Sequence, residues 1–397
     1  MEEWKSYKLG DIASVQTGPF GSQLHNEDYV NNGTPIVTVE HLGARVFTTQ
    51  NLPMVSSEDK ERLIKYSLKE GDIVFSRVGS VDRCSYVGKA QDGWLFSGRC
   101  LRVRAGETIN PLFLYYYFQK DSVKQEIRNV AVGATMPSIN TKLLSELSVM
   151  IPSLKEQKRI AEVLSSIDDI IELNNRINHN LEEQAILATH SFIFPDGDSS
   201  APIVSLSDVC LKITDGSHYS PKDDSSSGIP MLSVKDMGRY SFDYSSCKHI
   251  SEKDYQLMLA NDCVPHVGDI LVAKDGSYLK EVFINKTPKK QAILSSIAIF
   301  RPNPEIISSE LLLYILKQPR VLKEVRDNYV SGSALPRIVL KDFKKLSFNL
   351  PSTPMQKQIR HYLSAISSEI QSNQEENEKL TICRDSLLKE LMNNFSC

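Results

Sequence analysis

The sequence predicts a mixed α/β protein: two similar α/β globules separated by an intramolecular antiparallel coiled coil of two long helices, with pseudo-two-fold symmetry. Three observations predict it. The same landmarks occur twice in the same order, strand and helix signals alternate inside each copy, and each copy ends in a long helix with a heptad seam.

The duplication sets the domain plan. "LGDIASVQTG", "GTPIVTVEHLG", "GDIVFSRVGS" and "VGATMPSINTKLLSELSVMIPS" are followed by "LSDVCLKITDG", "GIPMLSVKDMG", "GDILVAKDGS" and "SGSALPRIVLKDFKKLSFNLPS". Pro35 maps to Pro230, Gly43 to Gly238, Gly71 to Gly268, Pro137 to Pro336 and Pro152 to Pro351, with the offset moving only from 195 to 199. The expected domains are residues 1–151, a first helix over 152–195, a second globule over 196–350 and a second helix over 351–397. The turn-forming run "FPDGDSSAP" links the halves.

Within each copy the elements follow from local pattern. "TPIVTVEHL" and "IPMLSVKDM" are rich in β-branched and aliphatic residues and predict strands. "GDIVFSRV" and "GDILVAKD" predict strands that start from a Gly-Asp turn. "SSEDKERLIKY" and "SEKDYQLML" open with Ser and acidic residues, as helices do. "NPLFLYYYFQKDSVKQEIRNV" and "SSELLLYILKQPRVLKEVRD" predict one helical stretch each, with Ser308 or Ser309 as N-cap in the second.

The two long helices carry the most specific pattern. One seam runs Ile160, Leu164, Ile167, Ile171, Asn174, Asn178, Leu181, Ala185, Ala188, Phe192. The other runs Ile359, Leu363, Ile366, Ile370, Asn373, Asn377, Leu380, Arg384, Leu387, Leu391. Alternating steps of four and three make a period of 3.5, the coiled-coil repeat. A buried Asn is satisfied only opposite another polar group, so the Asn positions specify register. Antiparallel pairing of Asn174 with Asn377 also pairs Asn178 with Asn373. It sets Ile171 against Leu380, Leu181 against Ile370 and Ile160 against Leu391. One layer is poor: Ile167 faces Arg384, whose stem would pack while its head reaches water. The seam would span about 48 Å at about 1.5 Å per residue.

Composition bounds the function. With 41% hydrophobic and 24% charged residues the chain is of ordinary globular make-up. No apolar run reaches membrane-span length, and the start "MEEWKSYKLG" is unlike a secretory signal. Seven cysteines without a C-x-x-C pair point to reduced thiols, hence a cytoplasmic setting, and away from zinc. No phosphate-binding G-x-x-x-x-G-K-[ST], H-E-x-x-H or G-x-S-x-G occurs, so no cofactor, metal or catalytic residue is expected. The net charge of −3 does not by itself suggest nucleic-acid binding. It is unevenly spread: residues 153–195 hold 4 Lys/Arg against 7 Asp/Glu, whereas residues 196–351 hold 20 against 19.

Three duplicated loops are candidates for contact with DNA. "TGPFGSQLHNEDY" offers Thr17, Gly18, Phe20, Gly21 and Ser22, and its counterpart "TDGSHYSPKDD" offers Thr214, Gly216, Ser217 and His218. Glycines allow close backbone approach and hydroxyls suit phosphate, while an aromatic suits a wedge. The competing reading is a tight turn with Phe20 over a core and His218 bonded locally. "SRVGSVDR" and "AKDGSYLK" carry Arg77 and Arg83, Lys274 and Lys280, and "FSGRCLRVR" adds Arg99; cations around a Gly-Ser turn suit base-edge readout. "KTPKK" is either a phosphate clamp or a solvated loop. "VGATMPSIN" and "SGSALPRIV" are either hinges into the long helices or DNA contacts.

"TGPFGS-x-L", "TDG-S-H-x-x-P", the paired Gly-Asp-Ile strands and the helix start "IP-x-x-x-x-Q-x-x-I-x-x-x-L", in duplicate halves across essentially the whole chain, resemble the specificity subunit of type I restriction–modification systems. The second helix departs from that pattern by opening "PSTPMQKQI", which puts Pro354 in its first turn. The resemblance implies a non-catalytic subunit in which each globule reads one half of a bipartite double-stranded DNA target. The helices would set the spacing and dock two methyltransferase subunits, which restriction subunits would join. S-adenosylmethionine and ATP would belong to those partners. A stand-alone bivalent DNA-binding protein and a coiled-coil scaffold are the alternatives.

Overall fold

Ile73–Ser76 and Ile270–Ala273 are four-residue strands buried along their whole length, which is why both read as continuous apolar runs. Each starts from a Gly-Asp turn for the same reason. Gly71 and Gly268 sit at φ +91° and +92°, where a Cβ is strained. The next carboxylate closes the turn: Asp72 accepts from Lys69 N at 2.8 Å and Asp269 from His266 N at 2.7 Å. The same carboxylates take an arginine side-on, Arg104 Nε and Nη2 at 2.7 Å each on Asp72, Arg301 Nε and Nη2 at 2.9 Å each on Asp269. Burial of both aspartates is therefore offset by paired, charge-assisted bonds.

The computed structural model describes residues 4–393 apart from 20, 22, 44, 134, 195–200, 225, 227, 276–278, 280 and 331–336. The chain divides into a first unit, Met1–Ile171 with Lys379–Cys397, and a second, Glu172–Glu378. In the first, β1 (Ala13–Thr17), β2 (Ile73–Ser76), β3 (Cys84–Tyr86) and β4 (Cys100–Ala105) form an antiparallel sheet in the order β1-β4-β2-β3, with Thr17 opposite Leu101 and Ser76 opposite Cys100. The long helix α1 (Leu154–Ile193) follows. In the second unit β5 (Cys210–Asp215), β6 (Ile270–Ala273), β7 (Val282–Ile284) and β8 (Ile297–Pro302) repeat the order as β5-β8-β6-β7, with Asp215 opposite Ala298. The long helix α2 (Thr353–Asn393) closes the chain.

A smaller sheet accompanies each main one. Thr34–Val37 pairs in parallel with Leu95–Phe96, and Ile229–Leu232 does so with Ala292–Ile293. These strands are shorter than the sequence pattern predicts, because Val39–His41 and Val234–Asp236 turn into single 3₁₀ turns. The helices Ser57–Arg62 and Glu252–Ala260 are capped by Ser56 and Ser251. Ser308, not Ser309, caps Ser309–Leu316. The stretches expected as single helices are each broken in two, Pro111–Gln119 with Asp121–Val130 and Ser309–Leu316 with Pro319–Asn328. Pro319 has no N–H to continue the ladder. In the first unit Lys120 is extended instead, and its ammonium donates to Met392 O at 2.8 Å at the C-terminal end of α2.

The duplicated glutamine of the long-helix starts has a structural job. Gln157 Nε2 donates to Pro152 O at 2.9 Å and Gln356 Nε2 to Pro351 O at 3.0 Å, tying each helix to the strand segment before it. Gln157 also accepts from Asn110 N at 2.7 Å, which couples the helix to the start of Pro111–Gln119.

The long helices pair antiparallel in both units. In the first, Ile160 and Leu164 share a core with Leu388 and Met392; in the second, Ala185 and Ile193 share one with Ile359, Leu363, Ile366 and Ile370. The register is the one the Asn positions require. Asn174 Nδ2 donates to Asn377 Oδ1 at 3.0 Å, and Asn373 Nδ2 to Asn178 Oδ1 at 2.8 Å. Glu376 and Asn175 complete the layer, accepting from Asn174 at 2.8 Å and from Asn377 at 3.1 Å. Asn178 Nδ2 in this layer has no acceptor among the described residues.

Two details differ from the seam pattern. Ile167, Ile171, Leu181 and Leu380 are only half-buried, since two helices cover a seam from one side. Toward the ends the buried face moves by one residue, to Thr189 and Ile193 instead of Ala188 and Phe192, and to Leu388 and Met392 instead of Leu387 and Leu391. An α-helix of 3.6 residues per turn drifts about 20° per heptad from a 3.5 repeat, and the last turns follow the apolar surface of their globules.

Arg384 also behaves otherwise than expected. Its head is shared between the exposed Asp385 and Asp168, to which it donates at 2.8 Å, and Asp168, only 5% exposed, accepts from Tyr116 OH at 2.7 Å. Burial opposes the charge on Arg384, yet the Asp168 bond holds its pKa above the ordinary value. In the second unit Glu182 of α1 is the corresponding clamp. It accepts from Arg239 Nε at 2.6 Å, from Tyr240 OH at 3.2 Å and from Lys317. Burial alone would raise the Glu182 pKa; Lys317 and Arg239 outweigh it and hold the carboxyl below its usual range.

Asp168→Ala takes from Arg384 its buried carboxylate, leaving only the exposed Asp385, and takes from Tyr116 its acceptor; about 2–4 kcal/mol of stability should be lost in denaturant melts, and a loss within about 0.5 kcal/mol would mean that the clamp is ornamental. Because the folded Glu182 pKa is depressed, its contribution is complete above the ordinary glutamate value of about 4.3 and is lost as pH falls through the folded value. Glu182→Gln should therefore lower stability at pH 7 and flatten its acid-side fall, and an unchanged pH slope would contradict the clamp.

Candidate nucleic-acid interface

In the first unit, β1 and β2 finish at the same end of the sheet, on either side of the start of β4. Gly18 follows β1 directly, and its N–H donates to Cys100 O at 3.2 Å. A Cβ there would lie 2.2 Å from Ser97 O, so only glycine lets the chain cross so close to the neighbouring segment. Arg77 follows β2; its N–H donates to Arg99 O at 2.8 Å. Its guanidinium donates to Gly98 O at 3.2 Å and lies 3.4 Å from Thr17 Oγ1. Thr17, Gly18, Arg77 and Arg99 are thus brought together. The Arg99 side chain is exposed. Arg83 closes the 76–83 turn, Ser76 N donating to its carbonyl at 2.9 Å, and its guanidinium lies over Gly43, whose φ is +136°. Gly21 is exposed with open space around it, and Phe20 and Ser22 lie outside the described residues.

The second unit repeats the backbone with different side chains. Gly216 N donates to Ile297 O at 3.1 Å, and a Cβ on Gly216 would lie 2.2 Å from Ile293 O. Lys274 N donates to Ser296 O at 3.1 Å, as Arg77 does to Arg99. Here the side chains part company. Lys274 is 2% exposed, and its ammonium is bonded to the buried Asp215 that takes the place of Thr17. A cation held in this way neutralises its neighbour and has no charge free for a base edge, so the free Lys274 cation expected from sequence is not what the structure presents. Burial on the sheet end requires the pair: Lys274 alone would be an unpaired interior charge. Ser217 is likewise committed, accepting from Tyr219 N at 3.1 Å and donating to Tyr219 O at 2.9 Å. Thr214 is half-buried at the end of β5. His218 remains outward, with a side chain 72% exposed and Nε2 3.5 Å from Asp215 Oδ1, and Tyr219 beside it is exposed too. Lys280 lies outside the described residues.

The sequence reading passed over Asp215 and Tyr219. The aspartate was visible as the one change between "TGP" and "TDG" that faces a lysine in the matched loop. Two of the three lysines of "KTPKK" have partners in the fold. Lys286 donates to Ser367 O at 2.6 Å, and its burial lowers its pKa, while Lys290 pairs with Glu252 at 2.8 Å. Lys289, the third lysine of the run, is exposed.

No reactive thiol adjoins these loops in the described residues: burial pushes Cys84, Cys100 and Cys210 each up to about 12. No group of three or more His, Cys, Asp or Glu is placed to hold a metal ion among the described residues. No described helix is long and apolar enough to cross a membrane.

Both halves match the family model of the type I restriction modification DNA specificity domain, over residues 1–183 and 202–381. The chain belongs to this family. Its relatives include the type I restriction enzyme MjaIX specificity subunit of Methanocaldococcus jannaschii, 24% identical over 98% of this chain and 93% of that one. The HindI specificity subunit of Haemophilus influenzae is 22% identical over 99% of each chain. The crystal structure of a type I restriction–modification S subunit from M. genitalium shares the fold, with TM-score 0.54 at 15% identity over 98% of this chain and 96% of that one. The two specificity-domain matches each take in one globule and most of the long helix after it.

Lys274→Ala leaves Asp215 buried without its cation and should cost about 2–4 kcal/mol, read as a lowered midpoint in urea. Arg99→Ala, at an exposed side chain, should stay within about 0.5 kcal/mol of the parent. Equal effects of the two would contradict the assignment of Lys274 to structure and Arg99 to the surface.

Proposed function

We propose that the chain is the DNA sequence-specificity subunit of a type I restriction–modification complex. Residues 1–151 and 196–350 each read one half of a bipartite duplex target. Residues 152–195 and 351–397 set the spacing and dock two methyltransferase subunits, to which restriction subunits attach. The chain itself is non-catalytic and binds no cofactor; S-adenosylmethionine and ATP act on the partner subunits. The complex works in the cytoplasm.

The observation that carries this reading is the repetition of one loop scaffold with different side chains. Two copies of a glycine crossing, each beside the end of a buried strand, present Arg77 and Arg99 in one case and His218 and Tyr219 in the other. A duplicated binder of one symmetric site would keep the same donors. Different donors on the same backbone suit two unlike half-sites, because base edges are told apart by the donor pattern presented to them. Arg77 has one face of its guanidinium fixed by Gly98 O, which limits the orientation of the donors that remain. Gly18 and Gly216 keep the crossings low. The net charge of −3 fits a subunit whose partners supply most of the phosphate contacts.

The decisive experiment maps methylated adenines in a genome carrying this chain and its methyltransferase partners. Exchanging residues 1–151 for those of a relative should change one half of the methylated sequence and leave the other half and the spacing intact. Changes in both halves, or methylation indifferent to the exchange, would refute the modular reading. The isolated chain should bind the target weakly and lose affinity steeply with salt, and the complex should bind it more tightly.

A further inference from the structure

The loop "VGATMPSIN" is, from sequence, either a hinge or a contact. Its Val132 and Ser138 pair as the two ends of a hairpin. Val132 N donates to Ser138 O at 2.9 Å and Ser138 N to Val132 O at 2.8 Å, across Gly133 at φ +111°. The hairpin is also stitched to the loop that follows β2. Gly79 N donates to Pro137 O at 2.8 Å, Ile139 N donates to Arg77 O at 3.0 Å, and Val78 bridges Ser138. Four backbone bonds tie the segment to itself and to Arg77. A hinge needs freedom that this segment lacks.

A fixed arm normally hides its apolar residues, and this one does the opposite. Met136 is 66% exposed and Val132 63%, the two most exposed large apolar side chains described in residues 4–151. They stand on the arm bonded to Arg77, which is itself bonded to Arg99. An apolar tip on an arm whose backbone is bonded to that of a cationic loop suits a wedge that enters a base step while cations hold the flanking phosphates. The second copy of the sequence keeps a large apolar residue before the matching proline, Leu335-Pro336 for Met136-Pro137.

We propose that the hairpin of residues 132–138 is a DNA-contacting arm of the first unit, with Met136 pressed against a base step of the half-site and Arg77 and Arg99 beside it on the backbone. The occupant is duplex DNA, and the inference rests on the DNA-specificity reading above.

The test uses the full chain in complex with its methyltransferase subunits and a duplex carrying the mapped target, with 2-aminopurine placed at successive positions of the first half-site. Binding by the parent should raise the fluorescence of one step. Met136→Ala should weaken target binding about tenfold and abolish that rise, whereas Met136→Leu should retain both. Unchanged affinity and fluorescence in Met136→Ala would overturn the proposal. Loss of a methyltransferase subunit from the Met136→Ala complex, with the 2-aminopurine signal intact, would overturn it in favour of a protein contact. A parent complex that binds no duplex would overturn the DNA-specificity reading as well, which separates the two failures.

Discussion

The pairing of two helices of 40 and 41 residues in one register is the constraint on which the rest depends. Apolar seam residues drive the helices together but hardly distinguish one register from another, since Ile and Leu pack against Ile or Leu at several shifts. The asparagines do distinguish. Asn174 with Asn377 and Asn178 with Asn373 are hydrogen-bonded in this register, and a shift of one heptad would set Asn174 against Ile370 or Arg384. An unpaired buried amide costs about 1–3 kcal/mol, several times what a methylene of mismatch costs. One such cost is accepted even here, at Asn178 Nδ2.

The globules are attached to these helices by charge as well as by apolar packing. Asp168 with Tyr116 and Arg384, and Glu182 with Arg239, Tyr240 and Lys317, are networks in which every buried charge has a partner of opposite sign. Apolar contacts permit small rotations at little cost. A carboxylate shared by two or three donors does not, because displacement strands several groups together. Each clamp therefore fixes the angle at which its own sheet, and so its own loops, is presented.

At the sheet ends the duplicated backbone has outlasted its side chains. The close crossings at Gly18 and Gly216 and the bonds from Arg77 and Lys274 to the neighbouring segments are the same in both units. On this common frame Thr17 beside Arg77 leaves a guanidinium only partly engaged, whereas Asp215 beside Lys274 consumes the ammonium altogether. With Asp215 and Lys274 in place of Thr17 and Arg77, the outward-facing chemistry lies at His218 and Tyr219 instead of the strand end.

The sequence by itself determined the duplication and the register within the helix pair, which rest on periodicity and on the pairing rules of asparagine; the antiparallel sense came from the globule of chain between the helices, since parallel helices in like register would also match Asn with Asn. It determined where the loops lie, through their glycines and prolines. Only the tertiary structure decided which polar residues remain outward. Lys274, Ser217 and Lys286 read as available donors in the chain and are engaged in the fold, since their partners Asp215, Tyr219 and Ser367 come from packing geometry that no spacing encodes. Arg384 looked like a flaw in the seam until Asp168 and Tyr116 met it. The same holds for Met136, an ordinary apolar residue in the sequence, which the fold leaves exposed on a hairpin bonded to the loop after β2.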